Sequence, residues 1–243
     1  MKINNFEHSL LKSVVLHLLP GILIGICYFA LVPAVKSSGF PPVMALSLAA
    51  LLILIPFELG FLLHRKRVEG KPFLEGVVRY TKPLKTWQYF VFVFLIVILS
   101  GLAFKAFAFT TDFLMPLFRW IPSGSFLDMG LDGEYSKSKL IITYGSFLIL
   151  LVLVSPAVEE FYFRGYLLPR MPSKMKGWTE IIHSALFALY HTWTPWLFIT
   201  RTLGVLPLAC FVKRKENVYI GIISHCLINS IDFIIGLVFI MNL

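Results

Sequence analysis

Residues 140–168 read LIITYGSFLILLVLVSPAVEEFYFRGYLL, and the fold turns on how this stretch is read. It is an apolar run of roughly thirty residues. At about 1.5 Å per residue it is longer than a hydrocarbon core about 30 Å thick, so it spells a membrane helix that tilts or continues past the bilayer. Near its end stand Glu159, Glu160 and Arg164. Ionisable side chains cost several kcal/mol at the bilayer centre, so a cluster of them marks a functional site by default.

Apolar segments of similar kind flank this one, at 14–35, 41–63, 87–109, 193–212 and 218–243, and another at 178–191 is short for a span and is expected to end within the membrane. The chain has 243 residues, 58% hydrophobic and 14% charged, with a mean hydropathy of +0.81. A soluble domain is about 45–50% apolar and about 25% charged. The expected fold is therefore all-α: a polytopic transmembrane bundle of about six to eight membrane helices, with residues 1–243 forming a single integral membrane domain. The first apolar run has spanning length and no A-x-A-like site, which argues against a cleaved signal peptide. Residues 71–85, basic but with apolar members, are expected to lie along the interface as an amphipathic piece.

The net charge of +9 does not point to nucleic acid, because most Lys and Arg fall in short loops between spans. With alternating spans, Lys2, Lys12, the 65–85 connector, Arg170, Lys174, Lys176 and Lys213, Arg214 and Lys215 share one side. Lys36, Arg119, Lys137 and Lys139 on the other are diluted by Asp112, Asp128, Asp132 and Glu134. The amino terminus and the basic loops are thus expected to be cytoplasmic. Cys27, Cys210 and Cys226 all lie in apolar segments without CxxC spacing and read as small buried hydrophobes.

Polar residues recur at helical spacing inside the spans. Glu160 and Arg164, Phe187 and His191, and His225 and Asn229 are each four apart, so each pair shares a helix face. Depth brings the three faces together. At about 1.5 Å per residue Glu159 lies about 16 Å from Arg170, His191 about 21 Å from Gly177, and His225 and Asn229 about 12 and 18 Å from Asn217. Other polar residues have plainer readings. His17, His64 and His183 read as satisfied core histidines, and Glu58, seven residues before Arg65, reads as a residue that snorkels or pairs near the interface. Glu160 and Arg164 are as well explained by a buried ion pair as by catalysis, and Asn229 by a bond across helices.

A partly desolvated carboxylate suits a general base. Water held between such a Glu and a His would attack a peptide carbonyl, and a second His and an Asn amide would donate to the oxyanion. No Ser or Cys is placed as a nucleophile beside a base, and HExxH is absent.

At these residues the chain resembles the CAAX protease and bacteriocin-processing family, the type 2 CAAX prenyl protease-like intramembrane endopeptidases. The motifs EExxxR, FxxxH and HxxxN match at Glu159–Arg164, Phe187–His191 and His225–Asn229, in order and on separate apolar segments. The resemblance covers about residues 140–243, with the first three spans contributing little. It implies that Glu159 is the general base, that His191 positions or activates the water, that His225 and Asn229 bind the oxyanion, and that Glu160 and Arg164 support them. No cofactor is implied, although Glu159, His191 and His225 are types that zinc accepts. It further implies a peptide or membrane-associated protein substrate, in CAAX-type processing or bacterial peptide maturation, and a bacterial inner-membrane setting in contact with the lipid bilayer. Two other classes fit intramembrane Glu, His and Arg: a proton-coupled transporter, for which no inverted repeat is visible, and a non-enzymatic immunity or scaffold protein that binds its target in the same place.

Overall fold

The computed structural model describes residues 7–243; Lys2, counted above among the basic loop charges, lies outside them. The described residues form helices and no β-strand. Among the described residues six helices are long and apolar enough to cross a membrane: α1 (Leu10–Ser37), α2 (Pro42–Glu69), α3 (Thr86–Phe107), α4 (Lys137–Arg170), α6 (Pro195–Lys215) and α7 (Val218–Met241). Between α4 and α6 lies the shorter α5 (Thr179–Tyr190). The protein is thus an all-α polytopic bundle.

Local sequence sets the ends of these helices. Ser9 caps α1 by accepting the Lys12 N–H at 3.2 Å. Pro42 sits in the first turn of α2, where its missing N–H costs nothing, and Gly70 ends that helix at φ 62°. The outer face of α3 carries Phe90, Phe94, Ile98 and Leu102 at steps of four, all exposed. In water such a stripe would be an aggregation hazard; on a spanning helix it meets acyl chains. The opposite face, with Val93, Ile96 and Ser100, is buried.

Helix α4 departs from α-geometry where its sequence forces it to. Over Leu148–Val154 the backbone is a π-helix, and the Ser155 N–H reaches the carbonyl of Leu150, five residues back. By the same register the Leu151 carbonyl would take the N–H of residue 156. That residue is Pro156, which has none. The vacancy is filled from another helix, since Asn229 Nδ2 on α7 donates to the Leu151 oxygen at 2.9 Å. A second π segment, Glu160–Leu167, carries the charged motif itself. Helix α2 repeats the device: its π segment Ala50–Leu54 ends with the Ile55 N–H on the Ala50 carbonyl, and Pro56 follows.

The connector 71–85 differs from the expected surface helix. It is irregular, with Glu75 and Tyr80 at positive φ, and it tucks into the end of the bundle rather than lying along the interface. Val77 and Val78 are fully buried, the Arg79 N–H donates to the Gly165 carbonyl at 2.8 Å, and a Cβ at Gly165 would stand 2.7 Å from Val78 Cγ1. Two apolar residues with a helix end to cover gain more from burial than a short amphipathic helix would from the interface.

Helix α1 also does more than span. A Cβ at Gly21 would collide with the backbone and ring of Tyr190, and one at Gly25 with the Thr192 hydroxyl. The two glycines, four apart, form a flat strip against which the end of α5 is seated, the usual use of small residues between membrane helices. Thr192 Oγ1 fastens the contact by donating to the Gly21 carbonyl at 2.7 Å.

Candidate active site

Glu159, Glu160 and Arg164 lie on α4, where the chain leaves α-geometry for the second π segment. All three are buried. Glu160 Oε1 is 3.0 Å from Arg164 Nη1, close enough for an ion pair but not aligned as a hydrogen bond, since none of the three guanidinium nitrogens of Arg164 has a hydrogen-bond partner among the described residues. The guanidinium instead lies 3.9 Å over the ring of Phe187. Phe187, the first residue of the FxxxH motif, therefore supports the cation of the EExxxR motif. The same ring packs edge-on against His191 at 4.8 Å and His225 at 6.2 Å between centroids.

His225 on α7 bridges the two glutamates. Its Nδ1 is 3.0 Å from Glu160 Oε1, where the carboxylate accepts the ring N–H. Its Nε2 lies 3.8 Å from Glu159 Oε2. Gly221, one turn before His225, permits this approach: a Cβ there would stand 2.7 Å from Glu160 Oε2. His191 terminates α5, and its Nδ1 donates to the Phe187 carbonyl at 2.8 Å. In the neutral ring this leaves Nε2 with the lone pair, the form that accepts a proton or holds a water.

The three motifs thus converge as the depth estimate anticipated, with one exception. The described contact of Asn229 runs to the Leu151 carbonyl and not to the glutamates. Its Nδ2 completes the helix that Pro156 interrupts, which leaves its second N–H and Oδ1 for any other task. Among the described residues no group of three or more His, Cys, Asp or Glu is arranged to hold a metal ion. His225 Nδ1 is already committed to Glu160.

Three residues of the site escape the motif reading. The Tyr190 hydroxyl donates to Glu159 Oε1 at 3.1 Å, fixing the proposed base from the side opposite His225; it sits next to His191 in the sequence but outside the FxxxH pattern. Arg201 on α6 donates from Nη1 to Thr194 Oγ1 at 3.1 Å. Glu58 corrects an expectation. It does not snorkel: it is 0% exposed, and both its oxygens lack hydrogen-bond partners among the described residues. It interacts electrostatically with Glu159 and lies beside Tyr190. Its register gave a signal, because Leu54 and Leu62, four residues to either side, are buried with it at 3% and 0% exposure. Its distance along the helix from Arg65 was the weaker guide.

A charge there would be buried beside Glu159, with neither carboxylate oxygen in a described hydrogen bond, which is costly. Glu58→Gln is therefore expected to fold and keep its melting temperature in detergent within a few degrees, whereas Glu58→Lys, which buries a longer, cationic side chain that Glu159 compensates only in part, should lower it by many degrees. A melting temperature for Glu58→Gln far below that of the wild type would show that the ionised form is needed.

The core histidines divide. His17 and His183 are fully buried and bond to each other, Nε2 to Nδ1, at 2.9 Å. His64, also expected in the core, is exposed at the end of α2 instead, where the helix has left the bundle for its basic terminus.

Residues 142–231 match the family model described as type II CAAX prenyl endopeptidase, Rce1-like. This region is similar to that family. The match includes Glu159, Glu160, Arg164, His191, Arg201, His225 and Asn229, and leaves out Gly21 and Glu58, which α1 and α2 contribute to the same site. No curated protein and no solved structure matches the chain. Similarity to that family supports a CAAX-type intramembrane endopeptidase in general, and the apolar helices support a multi-pass integral membrane protein.

Proposed function

We propose that the protein hydrolyses a peptide bond within the membrane by a glutamate–histidine mechanism without a covalent enzyme intermediate. The observation that carries this reading is the placement of Glu159: a buried carboxylate on a spanning helix, held by Tyr190 at 3.1 Å and faced by His225 Nε2 at 3.8 Å.

In this reading Glu159 takes a proton from a water that His191 Nε2 also holds, and the resulting hydroxide attacks the scissile carbonyl carbon. The carbonyl π electrons move to oxygen. His225 Nε2–H donates to that oxyanion, which requires the doubly protonated ring, its other N–H being accepted by Glu160. The second Asn229 N–H is the remaining donor of the proposed pair. Collapse of the tetrahedral intermediate breaks the C–N bond, and Glu159 returns its proton to the leaving amine. Arg164, stacked on Phe187 and paired with Glu160, keeps the Glu160 carboxylate where His225 can use it.

The substrate in this proposal is a peptide or a membrane-associated protein, processed in CAAX-type or bacterial peptide maturation. The setting is a bacterial inner membrane, with the amino terminus and the basic loops on the cytoplasmic side. Steering by the basic helix end is a smaller effect than its charge count suggests, because Arg65 and Lys71 both pair with Glu69, at 2.7 and 3.3 Å.

The test is a peptide library presented to purified protein in liposomes, with His191→Ala in parallel. Cleavage that His191→Ala abolishes while its melting temperature holds, and that persists in a strong chelator, supports the mechanism. Solute flux without cleavage would make the protein a carrier, and loss of activity to the chelator would assign the water to a metal.

A further inference from the structure

Helix α6 carries a cation that the proposed mechanism does not use. Arg201 lies about 18 Å along the helix from Lys213 at 1.5 Å per residue, at the depth of the glutamates. Its one described hydrogen bond goes to a neutral hydroxyl, Thr194 Oγ1 at 3.1 Å, and among the described residues it has no ion-pair partner within bonding distance. The other buried guanidinium of the site, Arg164, has a carboxylate at 3.0 Å and an aromatic ring beneath it. Arg201 has neither. Glu159 acts on it from beyond bonding distance, and a cation at this depth with no carboxylate in direct contact is costly and marks a place where one can be supplied.

The surroundings say where that counterion would come from. The Thr194 N–H donates to the His191 carbonyl at 3.0 Å, so Arg201, Thr194 and His191 form one hydrogen-bonded run from α6 to the proposed water site. Arg201 acts electrostatically on both Glu159 and His191. Thr194 is buried, while Arg201 is partly accessible, and no hydrogen bond is described for its Nε or Nη2. A planar guanidinium with one nitrogen pinned by a hydroxyl offers its remaining N–H groups in the fork that fits a carboxylate.

We propose that Arg201 and Thr194 form a subsite for a carboxylate carried by the peptide substrate, anchoring it beside the scissile bond. This rests on the endopeptidase reading for its placement, but the binding itself does not require turnover. A carboxylate reaches such a site from a chain terminus or from an acidic side chain, and both are the same chemistry to the guanidinium.

The experiment uses three N-acylated leucine–valine pentapeptides: one with a free carboxyl terminus, one amidated, and one amidated with an internal glutamate. Their binding to the full chain in liposomes is read from the fluorescence of the tryptophans, of which Trp193 and Trp196 flank Thr194. The wild type is expected to bind at least one carboxylate peptide about tenfold or more tightly than the neutral one, and which of the two it prefers identifies the source. Arg201→Gln should erase that preference while leaving the neutral peptide's affinity unchanged, and Arg201→Lys should restore part of it. A merely structural Arg201 would weaken all three peptides alike, and that result overturns the proposal, as does a preference that survives in Arg201→Gln or is missing from the wild type. Cleavage of the same peptides is followed in parallel. Preference without cleavage would retain the subsite and remove the endopeptidase reading, and cleavage without preference would do the reverse.

Discussion

Glu159→Gln is expected to lower kcat by about 10²–10⁴-fold, the contribution usual for a positioned general base, with little change in KM and no loss of fold. The substitution is nearly isosteric. The Gln carbonyl oxygen still accepts from the Tyr190 hydroxyl, which bonds Glu159 Oε1 at 3.1 Å, and a neutral amide is easier to bury than a carboxylate. What Gln cannot do is accept the proton of the attacking water. A melting temperature at or above that of the wild type, together with a collapse in turnover, is the signature of a residue retained for chemistry. Tyr190→Phe provides the comparison: it keeps the base and removes one of its hydrogen bonds, so its turnover should fall far less than that of Glu159→Gln. If Glu159→Gln cleaves at the wild-type rate, the water is activated elsewhere and the proposed mechanism is wrong.

Much of this site was legible because helix geometry turns spacing into contact. Glu160 and Arg164, four apart, do meet at 3.0 Å, and the estimate that α4, α5 and α7 bring their polar residues to one depth agrees with the contacts of Phe187 with His191, His225 and Arg164. Spacing could not say which atom meets which. His225 was expected, with Asn229, to serve the oxyanion, and nothing in its spacing said that one of its nitrogens is held by Glu160 at 3.0 Å. Asn229 pairs with a backbone carbonyl whose vacancy depends on π-helical register and on Pro156 together, and no periodicity in the sequence announces a change of register. Glu58 was misread because its distance from Arg65 was weighed above its face, although Leu54 and Leu62 mark that face plainly. Gly21 and Gly25 lie outside the region that resembles a family at all. Their part in seating Tyr190 and Thr192 emerges only when α1 is set against α5.

Arg164→Leu is expected to be strongly destabilising, and its consequences separate the structural from the catalytic part of the network. Removing one partner of a buried ion pair costs about 3–5 kcal/mol, and here Glu160 is fully buried, keeping the His225 Nδ1–H on Oε1 but with Oε2 lacking any hydrogen-bond partner among the described residues. The melting temperature in detergent should fall by many degrees. The loss should be largely recovered in Glu160→Gln/Arg164→Leu, because a neutral amide facing an apolar side chain restores charge balance, and a pair replaced whole is often near neutral in stability. Activity should not recover with it. Glu160 Oε1 is the acceptor for His225 Nδ1, and a Gln there can accept that bond but holds no charge to stabilise the doubly protonated ring that the oxyanion requires. The double variant would then be folded and slow, which assigns the charge of Glu160 to the reaction and that of Arg164 to the support of Glu160. A double variant that regains both stability and wild-type turnover would instead make the pair a purely structural element of α4, and would show that a neutral acceptor at 160, with the Phe187 ring at 6.2 Å, is enough to orient His225.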